Sequence, residues 1–230
     1  MKSLIVLSIV TILILSSAFK NKQPTCNRFI LNTYAYLLFM VLFLYTSHLY
    51  IIKHLLNTPL LNYFILIFIV NIVLLFRLMY VPAFHPVEKH IYLIVWLLSF
   101  ALISYPMTIK ANRMDPTALT EIMVICLGLT LAATGLVVFF PKLVSPAWGL
   151  PLMLGITGLI LAQVVSLFLN TKSLYVTYFA IALFTMFISY DTQLALSASK
   201  TCVEGKADYI KYSLGLFLDI VNLFSSLENR

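Results

Sequence analysis

Charge is what this chain has least of. Of its 230 residues only 10% are Asp, Glu, Lys or Arg, while 62% are hydrophobic. Soluble domains carry roughly 25% charged residues, so there is too little charge here to cover a water-facing surface. That scarcity excludes a soluble domain and leaves an integral membrane protein. Cysteine is sparse too. Cys26, Cys126 and Cys202 form no CxxC and no Cys/His metal spacing, which argues against a zinc or iron–sulfur module. Cys126 falls inside an apolar run and reads as a buried small hydrophobe. No N-x-[ST] acceptor with a permitted middle residue occurs; Asn57-Thr58-Pro59 does not qualify. The net charge of +7 is modest. Its Lys and Arg lie between apolar runs rather than in a block, as topology signals facing lipid headgroups do. No nucleic-acid partner is expected.

What the chain does have is long apolar runs. A bilayer core needs about 20 apolar residues per helix, and that ruler gives seven spans at 32–52, 60–82, 90–109, 117–140, 147–169, 174–199 and 208–227. The connectors are short: NTP at 57–59, AFHPVEK at 83–89, KANRMDP at 110–116, PKLVSP at 141–146, NTK at 170–172 and KTCVEGKAD at 200–208. None leaves room for a soluble domain. Asp115-Pro116 supplies an N-cap carboxylate followed by Pro at the first helical position, so the fourth span starts there.

Residues 1–26 form a separate segment ahead of the transmembrane domain at 27–230. One Lys, an apolar run at 4–15 and then Ser16-Ser17-Ala18 look like a signal peptide with a small-residue cleavage site. Against cleavage stands the distribution of basic residues. With residues 19–30 in the cytoplasm, nine Lys and Arg lie on the cytoplasmic side and five on the other, in keeping with the positive-inside rule. The expectation is an uncleaved extra hydrophobic segment with a cytoplasmic flank.

Two carboxylates stand out. Asp191 and Asp219 sit inside apolar runs, where an ionised carboxylate costs about 2.5–3.5 kcal/mol on insertion scales and marks a candidate functional site. If the sixth span runs to 199, Asp191 lies about 12 Å from its end and Asp219 about 16 Å into the seventh, at 1.5 Å per residue. Antiparallel helices joined by a short loop bring the two to similar depth. Two neighbouring carboxylates do not both ionise cheaply, so the pair titrates as a unit in two steps.

In the seventh span Tyr212, Gly215, Asp219, Asn222 and Ser226 fall on one helical stripe, polar or small throughout. Such a stripe faces protein or water rather than lipid, though helix–helix packing alone also accounts for it. Arg77, near the end of the second span, either snorkels or supplies a cationic partner to the Asp pair. Glu121 reads as interfacial, and His48 as structural. Gly128-x3-Ala132 and Gly158-x3-Ala162 read as packing seams.

Tyr190-Asp191-Thr192-Gln193, then Asp208-Tyr209-Ile210, then Leu218-Asp219-Ile220-Val221-Asn222-Leu223-Phe224 closely resemble the end of the transmembrane Bax-inhibitor-motif family, and most of all its Lifeguard branch. Asp115-Pro116-Thr117, Leu127-Gly128-Leu129-Thr130 and Trp148-Gly149 are similar to that family as well. The likeness covers residues 28–227, and the two Asp motifs are its specific part. It implies an all-α seven-transmembrane-helix bundle with the last helix central. It also implies a calcium leak governed by a pH-sensitive di-aspartyl pair, and suppression of cell death. Asp191 and Asp219 carry over as the pH-sensing pair, and two adjacent carboxylates offer Ca²⁺ weak, transient ligands. The family's second-helix Arg maps only loosely to Arg77, and Tyr212, Gly215 and Asn222 of the polar stripe, with Gln193, are auxiliary candidates. Ca²⁺ is the transported ion and no cofactor is expected. The implied partners are the lipid bilayer, protons and cell-death regulators in the membrane, and the implied site is the endoplasmic reticulum or Golgi, with the plasma membrane as an alternative. The chain departs from the family in its third span, where Ser104-Tyr105 replaces an acidic Glu-Gly, and in residues 1–18. A compact, diverged, viroporin-like chain of this kind fits a virus-encoded member.

Three rival classes share some of these features. Intramembrane aspartyl proteases also look like Tyr-Asp on one helix, but they need Gly-x-Gly-Asp on the next, and here Phe217 stands in the second Gly position. A seven-helix receptor needs an acidic-Arg-aromatic triplet and an Asn-Pro-x-x-Tyr that the chain does not contain. A non-conducting scaffold that inhibits cell death by binding partners stays open. No enzymatic activity is expected.

Overall fold

The computed structural model describes residues 2–20, 23–55, 63–104, 106, 109, 116–169 and 173–229. Eight α-helices, one 3-10 turn (Pro146–Trp148) and one short hairpin make up the described elements: α1 (Lys2–Ser17), β1 (Phe19–Lys20), β2 (Gln23–Pro24), α2 (Phe29–Leu55), α3 (Phe64–Tyr80), α4 (Pro86–Ile103), α5 (Pro116–Phe139), α6 (Gly149–Phe168), α7 (Leu174–Lys200) and α8 (Tyr209–Glu228). The strands pair antiparallel, with Phe19 opposite Pro24 and Lys20 opposite Gln23. This is the expected all-α membrane protein.

The helix bounds follow local chemistry. Proline at the first position, its missing N–H no loss there, opens α4 at Pro86. A short 3-10 turn over Pro146–Trp148, capped by Ser145 accepting from the Ala147 N–H at 3.2 Å, leads into α6. Asp208 caps α8 by accepting from the Lys211 N–H at 3.1 Å. The fourth span does begin at Pro116, but the proposed cap at Asp115 lies outside the described residues.

Among the described residues six helices are long and apolar enough to cross a membrane; α3 and the apolar part of α1 are shorter. At 17 residues, α3 reaches about 25 Å, and the seven residues before Tyr63 lie outside the description. Apolar side chains are exposed in numbers no soluble surface carries, among them Ile65 at 75% and Phe168 at 87%. Lipid is the solvent that suits them. The last helix is the most buried span, at 44% of its window against 11% for α6.

The chain divides into two compact units. One comprises residues 1–113 with 198–214, the other residues 114–197 with 215–230. In the first, α1 packs along α2, and α4 packs on both α2 and α3. Trp96, Tyr36, Met40, Leu93 and Leu97 form its buried interior. Asn32, fully buried, ties α1 to α2: its Oδ1 accepts from the Ser17 hydroxyl at 2.8 Å and its Nδ2 donates to the carbonyls of Ser17 and Asn27. Lys89, 2% exposed, donates to Asp208 Oδ2 at 2.6 Å and to the Val81 carbonyl at the end of α3 at 2.8 Å. A disulfide joins Cys26 to Cys202.

The second unit is built on α5, α6, most of α7 and the rest of α8. A Cβ placed on Gly155 would strike the Leu183 side chain, so glycine there lets α6 and α7 close up. Gly128 and Gly158 do otherwise. Both are exposed, and a Cβ on either would meet nothing within 4 Å. Among the described residues, then, neither glycine closes on a neighbouring helix as the expected packing seams require.

Candidate functional site

The site is assembled in the second unit by α7 and α8. Asp191 stands nine residues before the end of α7, and Asp219 ten after the start of α8. At 1.5 Å per residue these are depths of about 14 Å and about 15 Å from the connector. The Asp191 carboxylate lies against the backbone of Gly215, so close that a Cβ there would run into Oδ2 and stand 3.1 Å from Cγ. Gly215 and Asp219 are four residues apart, hence on one face of α8 and about 6 Å apart along its axis. The structure thus brings Asp191 within about one helical turn of Asp219.

The environment is lean in polar partners. Asp219 is 8% exposed, and its Oδ2 is buried with no hydrogen-bond partner among the described residues. Gln193 Oε1, on the same helix as Asp191, is in the same condition. The nearby polar groups look elsewhere. The Ser189 hydroxyl donates to the Ala133 carbonyl of α5 at 3.3 Å, and the Cys126 thiol donates to the Ile220 carbonyl at 3.9 Å. Tyr190 turns toward α6, where a Cβ on Gly149 would stand 2.6 Å from its hydroxyl oxygen. A carboxyl group left without donors in an apolar surround pays a heavy desolvation penalty when ionised.

The remaining candidates do not all converge. Asn222 is exposed and Ser226 part-buried, so the polar stripe on α8 is not uniformly turned inward. Leu216, Phe217, Leu223 and Leu227 fill the buried face instead. Tyr212 belongs to the first unit and packs edge-on against Phe29, ring centroids 5.7 Å apart. Arg77 also lies in the first unit. It is exposed in the last turn of α3, with its guanidinium 5.9 Å from the Tyr92 ring centre. His48 does have a partner, the Ser104 hydroxyl at 2.9 Å. The ion pair of Lys89 with Asp208 is the most consequential contact that the sequence pattern does not announce. Asp208 carried a legible signal, an acidic residue three before Lys211 at a helix start; the buried lysine carried none.

A chain of apolar spans enclosing an acidic pair is a multi-pass integral membrane protein. A family model described as Inhibitor of apoptosis-promoting Bax1 matches residues 26–229, and the chain belongs to that family. The family fits a membrane protein that suppresses apoptosis. No curated protein and no solved structure matches the chain.

Proposed function

We propose that the chain is a calcium leak channel of an intracellular store, gated by a proton that Asp191 and Asp219 share, and that it suppresses apoptosis by lowering store calcium. One observation carries this reading. Asp191 rests against Gly215, one turn from an Asp219 whose Oδ2 has no donor among the described residues. A shared proton makes a carboxyl–carboxylate hydrogen bond and removes repulsion, which favours close packing of α7 on α8. Losing that proton leaves two adjacent negative charges in a medium of low dielectric. They repel, part the helices, and offer hard oxygen ligands to Ca²⁺.

Among the described residues no group of three or more His, Cys, Asp and Glu stands together. Two carboxylates fall well short of the six to eight oxygens Ca²⁺ prefers. Binding is then weak and transient, as conduction requires. The role is transport rather than catalysis, and a store implies the endoplasmic reticulum or Golgi membrane.

The test is Ca²⁺ flux through purified protein in liposomes over a pH series. Wild-type leak rises with pH as the pair gives up its proton. Asp191→Asn flattens that profile, because the remaining carboxyl titrates alone. A wild-type profile from Asp191→Asn would discard the proton-sharing pair, and a wild-type protein with no flux would favour the scaffold that binds death regulators.

A further inference from the structure

The connector between α7 and α8 is fastened to the N-terminal hairpin by more than one kind of bond. Cys26 and Cys202 are disulfide-bonded with their Cα atoms 5.8 Å apart, within the span a disulfide bridges. The Gly205 N–H donates to the Pro24 carbonyl at 2.9 Å. The Cys26 N–H and the Thr25 hydroxyl both donate to Glu204 Oε1, at 3.2 and 3.4 Å. The Tyr209 hydroxyl donates to the Ala18 carbonyl at 3.4 Å. Gly205 has φ of +79°, a conformation open to glycine and disfavoured for other residues. The turn that seats the connector is therefore written into the sequence. These hydrogen bonds join the same two stretches of chain that the covalent bond joins, and both cysteines are part-exposed.

We propose that Cys26–Cys202 is a lasting structural disulfide and that residues 18–26 and 201–208 lie in an oxidising, non-cytosolic compartment. Glutathione and thioredoxin keep cytosolic thiols reduced, whereas the secretory lumen and the cell exterior let disulfides persist. The step is thiol–disulfide exchange with a protein thiol oxidoreductase. The two cysteine thiols give up two electrons and two protons, one S–S bond forms here, and the oxidoreductase disulfide is reduced to its dithiol.

The N-terminal helix agrees. Its one charged residue is Lys2, ahead of the apolar run, and a helix with its positive end in the cytosol delivers the following residues to the far side. The count of nine basic residues against five points the other way. Lys89 leaves that count, since it is buried against Asp208 rather than facing headgroups. What remains is a bias in orientation, whereas a disulfide records the compartment in a covalent bond.

The experiment uses the full chain in cell membranes. Free thiols are blocked with N-ethylmaleimide under denaturing conditions; the protein is then reduced and labelled with a polyethylene-glycol maleimide. Two labels per chain are expected, because Cys126 is a free thiol and is blocked in the first step. No label would overturn the disulfide. Sidedness is read on Cys26→Ser and on Cys202→Ser, each leaving one partner thiol, with Cys126→Ser as background. In sealed microsomes with the cytosolic face outward, a membrane-impermeant maleimide reaches the remaining thiol only after the membrane is opened. Labelling in intact microsomes by either variant would overturn the orientation.

Discussion

Replacing Gly215 by alanine separates the Asp pair from the general packing of the helices. In an exposed stretch of helix, Gly→Ala is favourable by about 1 kcal/mol. At Gly215 the new methyl runs into the Asp191 carboxylate, and overpacking of this kind costs about 1–3 kcal/mol. The net effect on stability is a loss of about 0–2 kcal/mol, small enough to leave the protein folded. The larger consequence is positional: the carboxylate itself must move away from α8 and so from Asp219. Gly128→Ala is the matched control, since its methyl meets nothing within 4 Å. Thermal unfolding in detergent and Ca²⁺ flux in liposomes are measured on both variants. Gly128→Ala keeps the wild-type leak and pH profile, with stability unchanged or raised. Gly215→Ala loses the wild-type pH profile at near-wild-type stability. If the two variants behaved alike in both assays, the close approach of Asp191 to α8 would have no part in the leak.

Three further substitutions test the packing of the first unit. Asp208→Asn leaves the Lys89 ammonium buried and without its counter-ion, a loss of about 3–5 kcal/mol in chemical unfolding. Lys89→Met costs less, because Asp208 is 21% exposed and still caps α8; equal losses would contradict that asymmetry. Asn32→Ala removes the ties to Ser17 and Asn27 and costs about 1–3 kcal/mol, and an unchanged melting temperature would show that α1 is held on α2 by apolar contact alone.

Much of the helix layout is legible in the sequence because membrane spans obey one strong rule, a run of about 20 apolar residues. The sixth span expected at 174–199 is α7 at Leu174–Lys200, and the seventh at 208–227 is α8 at Tyr209–Glu228. The near-equal depth of Asp191 and Asp219 follows from the same arithmetic, since helix rise is fixed and the connector is short. Which face a neighbour covers is a different matter. The stripe through Asn222 has the right period, but in the described structure the buried face of α8 is filled by Leu216, Phe217 and Leu223. Likewise Gly128 and Gly158 have the spacing of a packing seam, while the glycine that closes on a neighbour is Gly155, set by the arrival of Leu183. The Cys26–Cys202 bond joins residues 176 positions apart, and no local pattern announces it. Ser104, just past the end of α4, turns out to hold His48, a pairing visible only once α2 and α4 lie together.

The central claim is that a carboxyl able to ionise at position 219 governs the leak. It is tested most directly by Ca²⁺ flux through Asp219→Asn in liposomes, beside wild-type protein of matched fold and yield. Asn keeps the shape and the hydrogen-bonding groups but carries no titratable proton. The account predicts that the leak is abolished or strongly reduced at every pH. A leak with the wild-type rate and pH profile would contradict it.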